Sequence, residues 1–187
     1  MVRFAGDLLT LEDFLKLPEF KPPLEYIEGR VIQKVSPNRP HGVLQSVFGA
    51  HLLNFVMTQK IGMIYSDTRC SFGGISYIPD LSFIARGRIP RDRQGELSSE
   101  IHFAPDLAIE ILSPGQTVKQ ISKKIRFGIQ HGVRLGWLLH PVEKQVYVLR
   151  PRRRVEILKG GAILTGEDIL PGYLLSLKEL FSWQAED

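Results

Sequence analysis

Pro105-Asp106-Leu107-Ala108-Ile109-Glu110-Ile111-Leu112-Ser113-Pro114 is an apolar run with a carboxylate set inside it. Its length and its content of branched residues predict a buried strand over Asp106–Leu112. Five of Glu110's six neighbours in that strand are apolar. A carboxylate in such a place is costly unless something cationic lies against it. A second run, Pro79-Asp80-Leu81-Ser82-Phe83-Ile84, repeats the pattern, with an acid directly after a proline. Two strands carrying one acid each suggest a shared cation.

Strand alternation sorts the acids. Asp106, Ala108, Glu110 and Leu112 share one face, and Leu107, Ile109 and Ile111 share the other. Asp106 and Glu110 are then ~13 Å apart, too far for one ion to bridge. Asp80, on a neighbouring strand, can lie beside Glu110 at ~5 Å. Mg²⁺ takes one or two carboxylates together with waters and phosphate oxygens, and Asp80 with Glu110 suits that demand. The plainer alternative makes Asp80 a strand-entry residue and Glu110 half of a buried ion pair.

The rest of the chain predicts a mixed sheet flanked by helices, of α/β or α+β type. Thr10 starts a short helix that Pro18 closes. Leu24 to Val35 is a hairpin turning at Glu28-Gly29. A long helix covers about His41 to Lys60, with Val43, Leu44, Val47, Phe48, Leu52, Phe55 and Val56 at helical spacing. Strands are expected over Met63–Arg69, Asp80–Ala85, Leu135–Leu139 and Gln145–Leu149. A second main helix falls within Gly115–Gly132. Val155–Leu158 and Ala162–Leu164 are expected to form a final hairpin around Gly160-Gly161, before a short helix near Leu177–Phe181. The polar loop Arg86–His102 is long enough to be a functional candidate.

With 187 residues, 43% hydrophobic and 24% charged, the chain suits one globular domain over 1–187. No stretch of ~18 apolar residues exists, so no membrane span is expected. The N-terminal stretch Met1–Asp7 lacks the apolar core of a leader, and a lone cysteine, Cys70, suits a reducing, cytoplasmic setting. Cys70 is expected to be buried and inert. The net charge of +4 permits a polyanionic partner. Three basic clusters lean towards nucleic acid: Arg86 to Arg93, Arg150 to Arg154, and Lys119 to Arg126. No Walker loop, dinucleotide fingerprint or nucleophile elbow is present.

Together the stretches Leu24-Glu25-Tyr26-Ile27-Glu28-Gly29, Pro79 to Ile84, Pro105 to Pro114, Lys124, Gly132-Val133 and Leu170-Pro171-Gly172-Tyr173 make the chain resemble the PD-(D/E)XK nuclease superfamily. More closely, it resembles the bacterial "putative restriction endonuclease" family, formerly a domain of unknown function. The likeness runs over nearly the whole chain. It departs from the superfamily where the motif's lysine should follow the glutamate by two residues, a place held by Leu112. In the family this chain resembles, the lysine stands on the following helix, and Lys124 matches it. At about 100° per residue, Val118, Ile121, Ile125 and Ile129 form an apolar face with Lys124 at its border, while Lys123 points to solvent. A border lysine can lay its stem on the core and turn its ammonium into a cleft.

The resemblance implies a restriction-endonuclease-like fold and metal-dependent hydrolysis of DNA. Asp80, Glu110 and the Ile111 carbonyl would hold Mg²⁺ or Mn²⁺, and Lys124 would steady the water or the phosphate. Glu25 matches the family's N-terminal glutamate; Glu25 and Glu28 face opposite ways on an extended strand, so at most one reaches the cleft. His41 matches a histidine near the start of the first long helix. Relatives that cut both strands pair up, so a homodimer is expected. Gln120 stands where the family often has an acid. With Leu112 it favours a second reading, a nuclease-fold module with reduced turnover that binds nucleic acid. A third reading, a module serving another protein, rests on the modest net charge.

Overall fold

The turn at Glu28-Gly29 sets the first sheet. Both residues have positive φ, 53° and 73°, as a tight two-residue hairpin turn requires. The turn joins β1 (Leu24–Ile27) to β2 (Arg30–Gln33), with Glu25 opposite Ile32. Alternation sends Leu24 and Tyr26 towards Phe14 of α1 (Leu11–Leu15), leaving Glu25 and Ile27 on the other face. Thr10 caps α1 by accepting from the Asp13 amide. The computed structural model describes residues 9–98 and 100–184; Met1–Asp7, read above for a leader, lies outside the described residues.

Two more strands complete that sheet. β4 (Cys70–Phe72) and β5 (Ile75–Tyr77) turn at Gly73-Gly74, both at positive φ, and β5 pairs with β1 to give the order β2-β1-β5-β4. The main sheet has six strands. β3 (Gly62–Ser66), β6 (Leu81–Ala85), β7 (Leu107–Ile111), β8 (Leu135–His140), β9 (Gln145–Leu149) and β10 (Glu156–Lys159) lie in the order β10-β9-β8-β7-β6-β3. All neighbours are antiparallel except β7 and β8, which α3 (Val118–Gln130) connects. A parallel pair needs such a crossover. A 3₁₀ turn (Arg86–Arg88) opens the loop after β6.

The sheet's two faces take different helices. Leu107, Ile109 and Ile111 pack with Leu44, Phe48, Leu52 and Val56 of α2 (Arg39–Thr58) in the main core. The other face packs Leu138 and Leu149 against Ile121 and Ile125 of α3. The fold is thus a central mixed sheet flanked by helices, as the sequence predicts. Among the described residues no helix is long and apolar enough to cross a membrane.

One expectation fails. β10 and β11 (Ile163–Thr165) do not pair with each other. β10 continues the main sheet beside β9, and β11 pairs with β12 (Leu174–Ser176), just before α4 (Leu177–Ser182). Gly160-Gly161 marks a turn, but Leu164 is drawn into the main core together with Leu175 and Phe181. That burial gives β11 a partner across the excursion 166–173, which local pattern does not reveal.

The seat of α3 on the sheet is set by Gly136. A Cβ there would lie 2.2 Å from Ile125 Cγ2, closer than atoms can approach. Gly136→Ala should therefore push α3 off β8 and cost about 1–3 kcal/mol, as overpacking does. Thermal denaturation should show a clearly lowered midpoint, and an unchanged midpoint would mean that α3 does not sit at this distance.

Candidate active site

β6 and β7 run antiparallel with Leu81 opposite Ile109. One residue further along the same register sets Asp80 opposite Glu110. Asp80 is anchored across the strands: its Oδ2 accepts from the Ile111 amide at 2.7 Å. Glu25 arrives from the first sheet, and its Oε1 accepts from the Ile78 amide at 2.8 Å. Lys124 arrives from α3. Its Nζ lies 2.8 Å from Glu25 Oε2 and 2.9 Å from Glu110 Oε1, and 5.0 Å from the centre of the Tyr77 ring. Asp80, Glu110, Glu25, Lys124 and His41 line one cavity of about 60 Å³.

All three carboxylates are buried, at 2–3% exposure, so their charges must be met inside the protein. Two lysines meet them. Lys124 serves Glu25 and Glu110. The second is Lys34, which sequence reasoning missed. Its Nζ donates to Asp80 Oδ1 at 2.8 Å, to Asp67 Oδ1 at 3.0 Å and to the Ile78 carbonyl at 3.1 Å. A signal for it was available. Glu25 opposes Ile32 in the hairpin, and Lys34, two residues beyond Ile32, falls on the same face as Glu25.

His41 sits in the first turn of α2, where Asn38 Oδ1 accepts its amide at 3.1 Å. Its ring is buried. Nδ1 lies 2.8 Å from Ser113 Oγ, and Nε2 is 3.6 Å from Asp80 Oδ2. Ser113 is a second residue that sequence reasoning passed over as a functional group. It links the end of β7 to the start of α2 through His41.

Other candidates stand apart. Asp106 bonds Arg88 at 2.6 Å and accepts from the Ala85 amide, and it does not line the cavity. Glu28 faces outward and pairs with the exposed Lys123. Gln120 closes a capping box with Thr117, so it organises the start of α3. Leu112 packs with Ile121 and Ile125. Cys70 is fully buried, and burial pushes its thiol up to about 12; it is no nucleophile at neutral pH.

The electrostatics divide the acids. Burial pushes Glu110 up to about 7; Lys124 opposes the shift and Asp80 adds to it. Desolvation rather than carboxylate repulsion is therefore the leading cause. Burial would raise Asp80 as well, but Lys34, then His41 and Lys124, outweigh it and hold Asp80 below the usual carboxylate range. Burial would lower Lys124, but Glu110 and Glu25 outweigh it and raise its pKa. Burial lowers His41 despite Asp80, which favours a neutral ring.

The donor set suits a hard cation. Asp80, Glu110 and the Ile111 carbonyl offer oxygens, and Mg²⁺ prefers oxygen. Glu110 Oε1 is buried and lacks an aligned hydrogen bond even with Lys124 at ion-pair distance; the buried Tyr77 hydroxyl also lacks one. Among the described residues no three His, Cys, Asp or Glu side chains are grouped to hold a metal by themselves.

These shifts set a pH dependence. Glu110's folded pKa lies above the unfolded carboxylate value, so the folded state binds the extra proton between about pH 4.5 and 7. Stability should fall as pH rises through that window, by on the order of 3 kcal/mol without metal. Asp80 acts oppositely, and its contribution is lost only as the pH falls below the ordinary carboxylate range. Denaturant titrations from pH 4.5 to 8 in chelator should show the fall in wild type and not in Glu110→Gln. The same slope in both proteins would contradict the assignment.

Comparison with known proteins agrees with this fold. Among solved structures, a nuclease described as "putative" and as belonging to DUF820, from Anabaena variabilis ATCC 29413, matches with a TM-score of 0.90 and 40% identity, over 94% of this chain and 99% of that one. No curated protein matches the chain. The model of the Uma2 family, described as "Putative restriction endonuclease", matches residues 11–178. The chain belongs to the Uma2 family.

Proposed function

We propose that this chain is a metal-dependent endonuclease that hydrolyses DNA phosphodiester bonds. The observation that carries the reading is the meeting of Asp80, Glu110 and Lys124 in one buried cavity, from β6, β7 and α3. Asp80, Glu110 and the Ile111 carbonyl would hold Mg²⁺ or Mn²⁺. Such an ion, when bound, polarises the phosphate and lowers the pKa of water.

The chain's own residues prepare that site. The Ile111 amide and Lys34 fix the two oxygens of Asp80 and keep it ionised. Glu25 holds Lys124 beside Glu110, so the ammonium is already in place as charge develops on the phosphate. A preorganised cation needs no rearrangement in the transition state. His41, neutral and fixed by Ser113, braces Asp80. Water's oxygen bonds to phosphorus, the bond to the 3′ oxygen breaks, and the proton that the water loses is balanced by one gained at the 3′ oxygen, so a 3′ hydroxyl and a 5′ phosphate remain.

Lys124→Ala should lower cleavage of DNA at saturating substrate by ~100- to 1000-fold, the usual loss when a charge-stabilising donor is removed. Lys123→Ala should cleave close to wild type, because Lys123 is exposed and pairs with Glu28. Lys124 also meets two buried carboxylates, so its loss should reduce stability. Rates are therefore compared where circular dichroism shows both variants folded. Equal activity in the two would return Lys124 to a structural role.

A further inference from the structure

The cavity that holds the acids has room for a few waters and an ion, not for a nucleotide. It opens into a cleft of about 440 Å³, with which it shares Lys34, Val35, His41 and Asp80. Pockets of roughly 300–1,000 Å³ accept ligands of small-molecule size, and one nucleotide is of that size. Two paired bases with both backbones are not. The cleft in turn shares Pro23 and Asp67 with a larger depression of about 610 Å³.

The walls suit a nucleotide's two halves. Pro22, Pro23, Val35 and Pro37 give apolar surface for a base. Lys21 at the lining gives positive charge for the phosphates, while Lys34 on the floor is engaged by Asp80, Asp67 and the Ile78 carbonyl. Asp67 also lines the cleft, but both of its oxygens are engaged, by Lys34 and by Gln45. Meanwhile the groups that must meet the phosphate lie deep: the side chains of Asp80 and Glu110 are each 5% exposed.

Resting on the nuclease reading above, we infer that the substrate strand enters this site unpaired, one nucleotide seated in the Lys21–Val35–Pro37 cleft while its phosphate reaches Asp80 and Glu110. Enzymes whose target lies in a pocket too narrow for a duplex act on single strands or draw the nucleotide out. An unpaired substrate also needs no second subunit for the opposite strand.

The test uses the full chain and one labelled DNA oligonucleotide, alone and annealed to its complement. Cleavage is followed in Mn²⁺, and binding in Ca²⁺ by fluorescence anisotropy. The single strand should be cut and bound at least about tenfold better, the equivalent of one packed base. Val35→Trp, which fills the junction of cavity and cleft from a partly exposed position, should remove that binding with an unchanged melting temperature. Equal or faster cutting of the duplex would overturn the inference and leave the nuclease reading standing. Cutting of neither form would overturn the nuclease reading, and the binding arm would then decide the cleft: preference for the single strand keeps it, and equal or absent binding overturns it.

Discussion

Three carboxylates are buried within one cavity and its walls, and the structure depends on two lysines to hold them there. Lys124 joins Glu25 of the first sheet to Glu110 of the main sheet. Lys34 joins the hairpin's end to Asp80 and Asp67. Each lysine therefore ties two separate parts of the fold through charge. A buried pair of this kind does little for net stability, because desolvation offsets the attraction, but removing one partner is strongly destabilising. The near-neutral pKa of Glu110 beside the depressed one of Asp80 is the signature of a site that separates two acids by environment.

Much of this was legible before any coordinates. The alternation in Asp106–Leu112 separates Asp106 from Glu110 by distance, and the apolar stripe of α3 puts Lys124 at its border. Both readings need only local periodicity. The hairpin at Glu28-Gly29 is likewise a local signal, and it sends Glu25 inward. What escaped depended on register or distant pairing. Lys34 looks like a solvent lysine at a strand end until the hairpin is aligned residue by residue. Ser113 looks like the first residue of a loop until His41 is brought to it across the fold. β10 and β11 look like a hairpin because the partner of β11 lies beyond Gly166 and Pro171, out of reach of any short window.

The two departures from the superfamily pattern acquire physical roles. Leu112 holds the place of the motif's lysine and instead helps to pack α3 against the sheet. That packing is what lets a lysine on α3 approach Glu110 from the side. Gln120 caps the helix that carries Lys124. Moving the cation from strand to helix thus exchanges one supporting contact for another: Leu112, Gly136 and the Thr117–Gln120 cap position the helix, and Glu25 aims the ammonium. The basic clusters read from sequence are partly spent on structure, since Arg88 serves Asp106 and Arg150 serves Glu156 and Glu167. On the proposed function, nucleic-acid recognition would rest more on the cleft beside the acids than on overall charge.

The central claim is that Asp80, Glu110 and the Ile111 carbonyl form one divalent-cation site. Anomalous scattering from a crystal soaked in Mn²⁺ tests it most directly. The account predicts a peak in the cavity with oxygen ligands from all three residues at ~2.1–2.3 Å, with Lys124 still beside Glu110. A peak bound to other residues, or no peak in the cavity at millimolar Mn²⁺, would contradict it.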